Sequence, residues 1–181
     1  VDAWEVVEAA KSKPFDFLPF YPGPGMSGQS TAGERSYLEK TPGASGAIPL
    51  LVEIAAMVNS QLPTVALSRI TDALNERKRS INGSRILVLG ISQIRDRKYT
   101  RESLSLDILK SLHEKGAIVT YSDPHVPSIE FDGKMFTSTS VTADIVGSVD
   151  CVLILTNHSA FDYQTIVAHS PLVLDCRNAL R

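Results

Sequence analysis

From residue 82 to residue 175 the sequence alternates between short, almost uninterrupted apolar runs and segments with helical spacing. Asn82-Gly83 marks a turn just before this pattern begins. The apolar runs predict strands at residues 85–91, 117–123, 149–156 and 172–175, and the other segments predict helices at residues 102–115, 141–148 and about 161–169. Apolar strands separated by helices predict an α/β fold whose parallel sheet is covered on both faces.

Ligands of such sheets bind beyond the carboxyl ends of the strands. Here those ends lie at residues 91–101, 123–127, 156–160 and 175–178. The first strand leads into Gly90 without a GxGxxG motif, so the sheet is not expected to hold a dinucleotide in the usual Rossmann manner.

The N-terminal part of the chain has a helical pattern instead. Residues 2–12 predict a short helix with Asp2 as N-cap and Trp4, Val7 and Ala10 on one face. Residues 50–78 carry an apolar stripe at helical spacing, which Pro63 either kinks or divides into two helices. The stripe fits packing on the protein's own core or contact with a second copy.

Composition narrows the class of protein. The 181 residues are 43% hydrophobic and 21% charged with a net charge of -2, which is ordinary for a soluble domain and gives no basic excess for nucleic acid. Apolar runs are shorter than the roughly 20 residues of a membrane span. The sequence contains two cysteines, Cys151 and Cys176, so a disulfide framework is not expected and the cytoplasm is the expected location. The histidines show no metal-ligand spacing with these cysteines, so no metal site is expected.

A loop rich in glycine and proline, FYPGPG at residues 20–25, follows an aromatic cluster. Glycine lets backbone approach a ligand closely, and proline limits the entropy lost on binding. This composition suits a surface turn as well as a binding loop.

The loop resembles one in the nucleotide-sugar 6-dehydrogenases, the UDP-glucose/GDP-mannose dehydrogenase family, nearest its UDP-N-acetylglucosamine/UDP-N-acetylmannosamine branch. In that family FYPGPG runs into GGHCIP, whose cysteine forms a thiohemiacetal and a thioester with the sugar C6. Ser30 stands at the position of this cysteine and Gln29 at that of the histidine. Glu34 matches an aspartate that supports the chemistry electrostatically.

A second stretch, GISQIRDRKYTRES at residues 90–103, is similar to the family's GVAYKPDVDDTRES. The substrate-contacting lysine is replaced by Ile94, with Arg95 and Lys98 as alternative cations nearby. Arg101 matches an arginine that contacts NAD, although a helix-start arginine paired with an acidic residue is an equal alternative. Ser103 or Thr100 is expected to cap the following helix.

Three further turns resemble the family at the carboxyl ends of the strands. DPHVP at residues 123–127 is interpreted as a structural turn with His125 exposed. TNHSAF at residues 156–161 is expected to line the ligand end, with His158 outside the catalytic set. In DCRN at residues 175–178, Arg177 is the candidate for reaching the nucleotide sugar, because a guanidinium fork suits phosphate or uronate oxygens.

The resemblance implies that the chain is the C-terminal portion of a longer protein whose missing N-terminal domain binds most of the NAD. Residues 1–80 would form the central helical dimerisation segment with the sugar loop, and residues 81–181 a Rossmann-like UDP-binding domain. Residues 41–46 depart from the family, which usually has a helix there, because their glycines and proline predict an irregular segment. The apolar stripe of residues 50–78 favours the dimer role. The implied substrate-binding positions are Phe20, Tyr21, Gly23, Gly25, Gly28, Ile94 and Arg177.

Two functions remain open. The first is NAD-dependent, two-step oxidation of a UDP-sugar at C6 to a uronate for polysaccharide synthesis, impaired because serine has no acidity comparable to that of a cysteine thiol. The second is a non-catalytic relative that binds the nucleotide sugar or acts as a dimer scaffold.

Overall fold

The computed structural model describes residues 1–21, 23, 47–101 and 103–181, and of residues 47–49, 51 and 52 the backbone alone. Its elements, in chain order, are α1 (Ala3–Lys11), α2 (Ala47–Glu76), β1 (Arg85–Leu89), α3 (Leu104–Glu114), β2 (Ile118–Ser122), β3 (Ser128–Phe131), β4 (Lys134–Thr137), α4 (Ala143–Ser148), β5 (Cys151–Ile154), α5 (Tyr163–His169) and β6 (Val173–Asp175).

The main sheet has four parallel strands in the order β2-β1-β5-β6. Each strand and helix predicted after residue 82 is present, with ends within two residues of the prediction. The expected α/β fold with a parallel sheet is therefore confirmed. Because all four strands run the same way, their carboxyl ends meet at one edge, which is called the ligand edge below.

Both faces of the sheet are buried, as its apolar strands predict. Ile86 and Val88 pack with α2 and α3 on one face, whereas Leu87 and Leu89 pack with α4 and α5 on the other. Each of these four side chains is fully buried. Burial of one such side chain stabilises the fold by about 1.5–3 kcal/mol before entropy is counted.

Helix α2 is a single helix that contains Pro63, so no second helix begins at that proline. Its C-terminal part is anchored on the sheet, because Ile70 and Leu74 are buried in the core. Its N-terminal part leaves large apolar side chains exposed, among them Ile54, Met57 and Val58. The stripe therefore serves the core over only part of its length.

Helix α1 has the predicted N-cap, since the Asp2 carboxylate accepts a hydrogen bond from the Trp4 N–H at 2.8 Å. Trp4, Val7 and Ala10 form its half-buried face. Within the described residues, no helix combines the length and apolar character needed to cross a membrane.

Candidate functional site

The ligand edge is drawn together where β1 leaves the sheet. Gly90 has φ of 79°, and its N–H donates to the Ser122 carbonyl of the β2 end at 2.8 Å. A Cβ added to Gly90 would lie 2.5 Å from Thr156 Cβ and 2.5 Å from the Thr156 carbonyl oxygen. Only glycine fits both this backbone conformation and this separation, so the ends of β1 and β5 lie in direct contact.

Asp123 holds the next residues in place. One carboxylate oxygen, Oδ2, accepts hydrogen bonds from the Ile91 N–H at 2.9 Å and the Ser92 N–H at 2.8 Å, and lies 3.2 Å from His158 Nε2. The other, Oδ1, accepts from the His125 N–H at 2.8 Å. Burial alone would raise the pKa of this carboxyl, but the His158 side chain and the two backbone donors of His125 and Ser92 hold it well below its usual range.

These contacts also bear on cofactor binding. In a Rossmann turn the backbone N–H groups after the first strand are available to a pyrophosphate. Here the N–H groups of Ile91 and Ser92 donate to Asp123, so the carboxylate takes the place that a phosphate would occupy. These two N–H groups are therefore not available to a phosphate, and the turn after β1 does not fit a dinucleotide in the Rossmann manner.

His158 lies at the centre of the edge and is fully buried. Its Nδ1 accepts a hydrogen bond from the Asp96 N–H at 2.9 Å, so in the neutral ring Nε2 carries the proton and donates to Asp123. The ring also packs on His125 and Phe161, with centroids 5.1 Å and 5.7 Å away. His125 is half-buried by this contact and is not the exposed turn residue that the sequence predicted.

Asp96 fastens the loop after β1, residues 92–101, called the β1 loop below. It has φ of 57°, a left-handed conformation that is uncommon outside glycine. Its Oδ1 accepts from the Ser159 N–H at 2.8 Å and its Oδ2 from Arg95 Nε at 3.2 Å. The Ser159 N–H is the main reason that the pKa of this carboxyl is lowered.

Potential ligand atoms of Asp96, His125 and His158 lie within 4.8 Å of one another, a spacing that could hold a metal ion. Both ring nitrogens of His158 are engaged, however, one as an acceptor and the other as a donor. A metal could bind His158 only after one of these buried hydrogen bonds broke. The cluster is therefore explained by the hydrogen-bond network itself.

The predicted residues of the β1 loop lie at this edge. Ile94 is half-buried, and Arg101 is exposed. Ser103 occupies the N-cap position of α3, but its hydroxyl donates to the Ile91 carbonyl at 2.6 Å and does not cap the helix. The hydroxyl instead ties the start of α3 to the end of β1.

Arg177 follows β6 at the same edge and is only 9% exposed. Its Nε donates to the Leu155 carbonyl at 2.7 Å, and burial lowers the pKa of its guanidinium group. A Cβ added to Gly23 would lie 2.5 Å from Arg177 Nη1. The glycine-rich loop thus comes into contact with the ligand edge.

The chain leading to Gly23 is held beside the C-terminus. Tyr21 stacks on Trp4 with ring centroids 5.3 Å apart, and its hydroxyl donates to Glu8 at 2.6 Å. Arg181 forms ion pairs with Asp2 and Glu5 of the N-terminal segment. Phe20 is 61% exposed. Gly25, Gly28, Ser30, Glu34 and residues 41–46 lie outside the described residues.

Sequence reasoning missed the roles of Asp123 and His158 in this network. The available signal was their position, since each polar residue follows a buried strand and such positions converge at one edge of a parallel sheet. Their mutual hydrogen bonds depend on loop geometry that spacing does not contain.

The comparisons with known proteins agree with this architecture. The family model for the UDP-binding domain of the UDP-glucose/GDP-mannose dehydrogenase family matches residues 87–181, just over half of the chain. The UDP-N-acetyl-D-mannosamine dehydrogenase of Methanococcus maripaludis is 28% identical over 162 residues, which cover 89% of this chain and 35% of that protein. The UDP-N-acetyl-D-glucosamine 6-dehydrogenase of Pseudomonas aeruginosa is 26% identical over 89% of this chain and 37% of its own length.

Among solved structures, the UDP-D-ManNAc dehydrogenase of Pyrococcus horikoshii superposes with a TM-score of 0.77 at 21% identity, covering 100% of this chain and 41% of that one. At this identity the likeness shows the fold. The chain spans about a third of the length of the curated relatives quoted above, 35% and 37%. By its match to the UDP-binding domain, the chain belongs to the UDP-glucose/GDP-mannose dehydrogenase family.

Proposed function

We propose that this chain is the C-terminal, UDP-sugar-binding portion of a nucleotide-sugar 6-dehydrogenase. Residues 1–80 would form the central helical segment with the sugar loop, and residues 81–181 the UDP-binding domain. The single observation that carries the proposal is the close packing of Gly23 against Arg177. A Cβ added to Gly23 would lie 2.5 Å from Arg177 Nη1. This contact brings Gly23 of the glycine-rich loop to the ligand edge, so that the loop and the edge can line one site for a sugar nucleotide.

Each predicted residue then has a proposed role. Arg177 binds the phosphate or sugar oxygens with its guanidinium group, which Leu155 holds in place. Gly23, Gly25 and Gly28 are assigned to the sugar because glycine permits a close approach of backbone to a ligand, and Phe20 and Tyr21 are assigned to flank the sugar. Arg101, exposed on the β1 loop, contacts NAD that is held mainly by another domain. NAD supplies the hydride acceptor for both oxidation steps.

The chemistry is proposed to be impaired. Ser30 cannot supply a thiolate, and Gln29 beside it cannot act as a base. Neither native cysteine compensates, because Cys151 is fully buried and burial raises the pKa of its thiol to about 12, and burial also raises the pKa of Cys176. Loss of the lysine at Ile94 removes a hydrogen bond from a charged group, worth about 1.5–3 kcal/mol of substrate binding.

The test uses the longest protein that the gene encodes, incubated with UDP-sugars and NAD, with NADH followed at 340 nm. The protein is expected to form little NADH, and Ser30→Cys is expected to raise the rate by about tenfold or more, because a thiolate is far more available than an alkoxide. Ser27→Cys in the same loop is the matched control and should have no effect. Equal and clearly measurable rates of NADH formation by the native protein and Ser30→Cys would contradict the impairment.

A non-catalytic role is the second candidate, favoured by an apolar face of α2 that no other described residue covers. The exposed fractions of five large side chains lie between 42% and 56%; they are Leu50, Ile54, Met57, Val58 and Val65. A surface of this kind marks an interaction site, and a second copy of the chain is the proposed occupant. Silence of both native and Ser30→Cys proteins, together with UDP binding, would favour this candidate.

The dimer can be tested by sedimentation equilibrium. The native chain is expected to sediment with twice its mass of 19.7 kDa, and Val58→Glu is expected to shift it to the monomer by burying a charge at the contact. Gln61→Glu, also exposed on α2, is the matched charge control. A monomeric native chain at about 100 µM, above the μM Kd of a weak but specific dimer, would contradict this proposal. The two free cysteines suit a reducing compartment, which we propose is the cytoplasm.

A further inference from the structure

The β1 loop carries most of the positive charge at the ligand edge. Arg97, Lys98 and Arg101 are exposed and, within the described part of the chain, form no hydrogen bond or ion pair. Arg95 is paired with Asp96 at 3.2 Å. Because the Ile91 and Ser92 N–H groups are already bonded to Asp123, these side chains are the groups of the β1 loop best suited to bind an anionic ligand.

The position of these cations depends on how the loop is fastened. The loop turns at Asp96 in a left-handed conformation, which costs a residue other than glycine about 1–2 kcal/mol. Two hydrogen bonds to the segment after β5 offset this cost, from the Asp96 N–H to His158 Nδ1 at 2.9 Å and from the Ser159 N–H to Asp96 Oδ1 at 2.8 Å. These two bonds are called the Asp96 clamp below.

The clamp in turn depends on the tautomer of His158. The Asp123 carboxylate, fully buried, accepts from Nε2 and so leaves the lone pair on Nδ1. The imidazole is enclosed by His125 and Phe161 and has no exposed surface. Asp123 thereby fixes the one ring nitrogen that can accept from Asp96.

We infer that His158 is a positioning residue for nucleotide binding: in its Nε2–H tautomer it holds the β1 loop so that Arg97 and Lys98 face the diphosphate of the UDP-sugar. This inference rests on the proposed function. It gives the loop a means of binding phosphate without the lysine that Ile94 replaces. His158 acts through Asp96 and does not touch the ligand itself.

Two substitutions of His158 distinguish the effect of the clamp on UDP binding from the effect of a lost buried hydrogen bond on stability. His158→Gln can place an amide N–H near the Nε2 position and donate to Asp123, but offers no acceptor to the Asp96 N–H. His158→Asn can place its oxygen near Nδ1 and accept from Asp96, but does not reach Asp123. Each variant loses one buried hydrogen bond, so similar drops in Tm are expected.

The readouts are the Kd for UDP by isothermal titration and amide hydrogen exchange of the β1 loop, measured on the 181-residue chain. His158→Gln is expected to bind UDP about tenfold more weakly than His158→Asn, and to lose exchange protection at Asp96, since one hydrogen bond is worth about a factor of ten. Equal Kd values or equal protection at Asp96 in the two variants would overturn the inference.

A second pair of variants, at Asp96, tests the clamp without changing the buried His158 and can be used if the His158 variants do not fold. Asp96→Gly keeps the left-handed turn and the backbone bond to His158 but loses the bond from Ser159, whereas Asp96→Asn keeps both. Asp96→Gly is therefore expected to bind UDP more weakly than Asp96→Asn, because half of the clamp is lost, and equal affinities contradict a contribution of the Ser159 bond to UDP binding. If the native chain does not bind UDP, the proposed function fails first; binding by the native chain with equal affinities of His158→Gln and His158→Asn rejects the role of His158 alone.

Discussion

Replacement of Asp123 by alanine is expected to lower the free energy of unfolding by about 3–5 kcal/mol, because a buried carboxylate that accepts several hydrogen bonds is lost and each buried donor left unsatisfied costs about 1–3 kcal/mol. The Asp123 side chain has no exposed surface and accepts from Ile91, Ser92, His125 and His158. Alanine leaves these donors without an acceptor in a region that water does not reach. Urea unfolding at pH 7 measures the effect.

The same substitution has a predictable pH dependence. Hydrogen bonds hold the pKa of the Asp123 carboxyl below its ordinary value, so the folded state binds its proton less readily than the unfolded state. The stabilisation is complete above the unfolded pKa of about 3.9 and is lost as pH falls toward the folded pKa. The difference between native and Asp123→Ala proteins should therefore shrink below about pH 4.

Asp162→Ala is the matched control, since it also removes an aspartate that accepts backbone hydrogen bonds, but at an exposed position. Asp162 is an exposed N-cap of α5, bonded to the Gln164 and Thr165 N–H groups, and its loss should cost about 1 kcal/mol. An Asp123→Ala protein no less stable than Asp162→Ala would show that the Asp123 network does not organise the edge.

Substitution of alanine for Gly90 is expected to cost about 3 kcal/mol or more in unfolding free energy, or to prevent folding. The new Cβ would lie 2.5 Å from Thr156 Cβ and 2.9 Å from Thr156 Cα, atoms of a neighbouring segment that cannot rotate away. The positive φ of 79° adds a further cost of about 1–2 kcal/mol. Either the ends of β1 and β5 separate or the backbone at Gly90 changes.

Gly83→Ala isolates the conformational part of this cost. Gly83 has φ of 82°, and a Cβ there would meet nothing within 4 Å. Its replacement should cost only about 1–2 kcal/mol, and the difference between the two variants measures the clash. Equal destabilisation of the two variants in urea would contradict a direct contact between the ends of β1 and β5.

The sheet could be predicted because its signal is local and redundant. Leu87, Val88 and Leu89 are buried on both faces, so the strand has an uninterrupted apolar sequence that the flanking helical patterns delimit. The β3–β4 hairpin was not predicted, although Asp132-Gly133, both with positive φ, is a strong hairpin signal between alternating apolar residues.

The candidate site was less predictable, because its interactions join residues far apart in the sequence. Arg177 and Gly23 were named separately, but their contact across the fold is visible only in the structure. His158 is predicted from the sequence to lie outside the catalytic set, and nothing in the sequence indicates its buried hydrogen bonds. Asp123, 35 positions earlier, is one of the partners in these bonds.

The most direct test of the central claim, UDP binding at the ligand edge, is a UDP titration of the ¹⁵N-labelled native chain. The account predicts saturable shifts of the backbone amides in the β1 loop, at Ser159 and at Arg177, with little change in the β3–β4 hairpin. The absence of saturable shifts up to about 1 mM UDP, a concentration well above the Kd expected for a specific nucleotide site, would contradict the claim. Shifts confined to the hairpin would also contradict it.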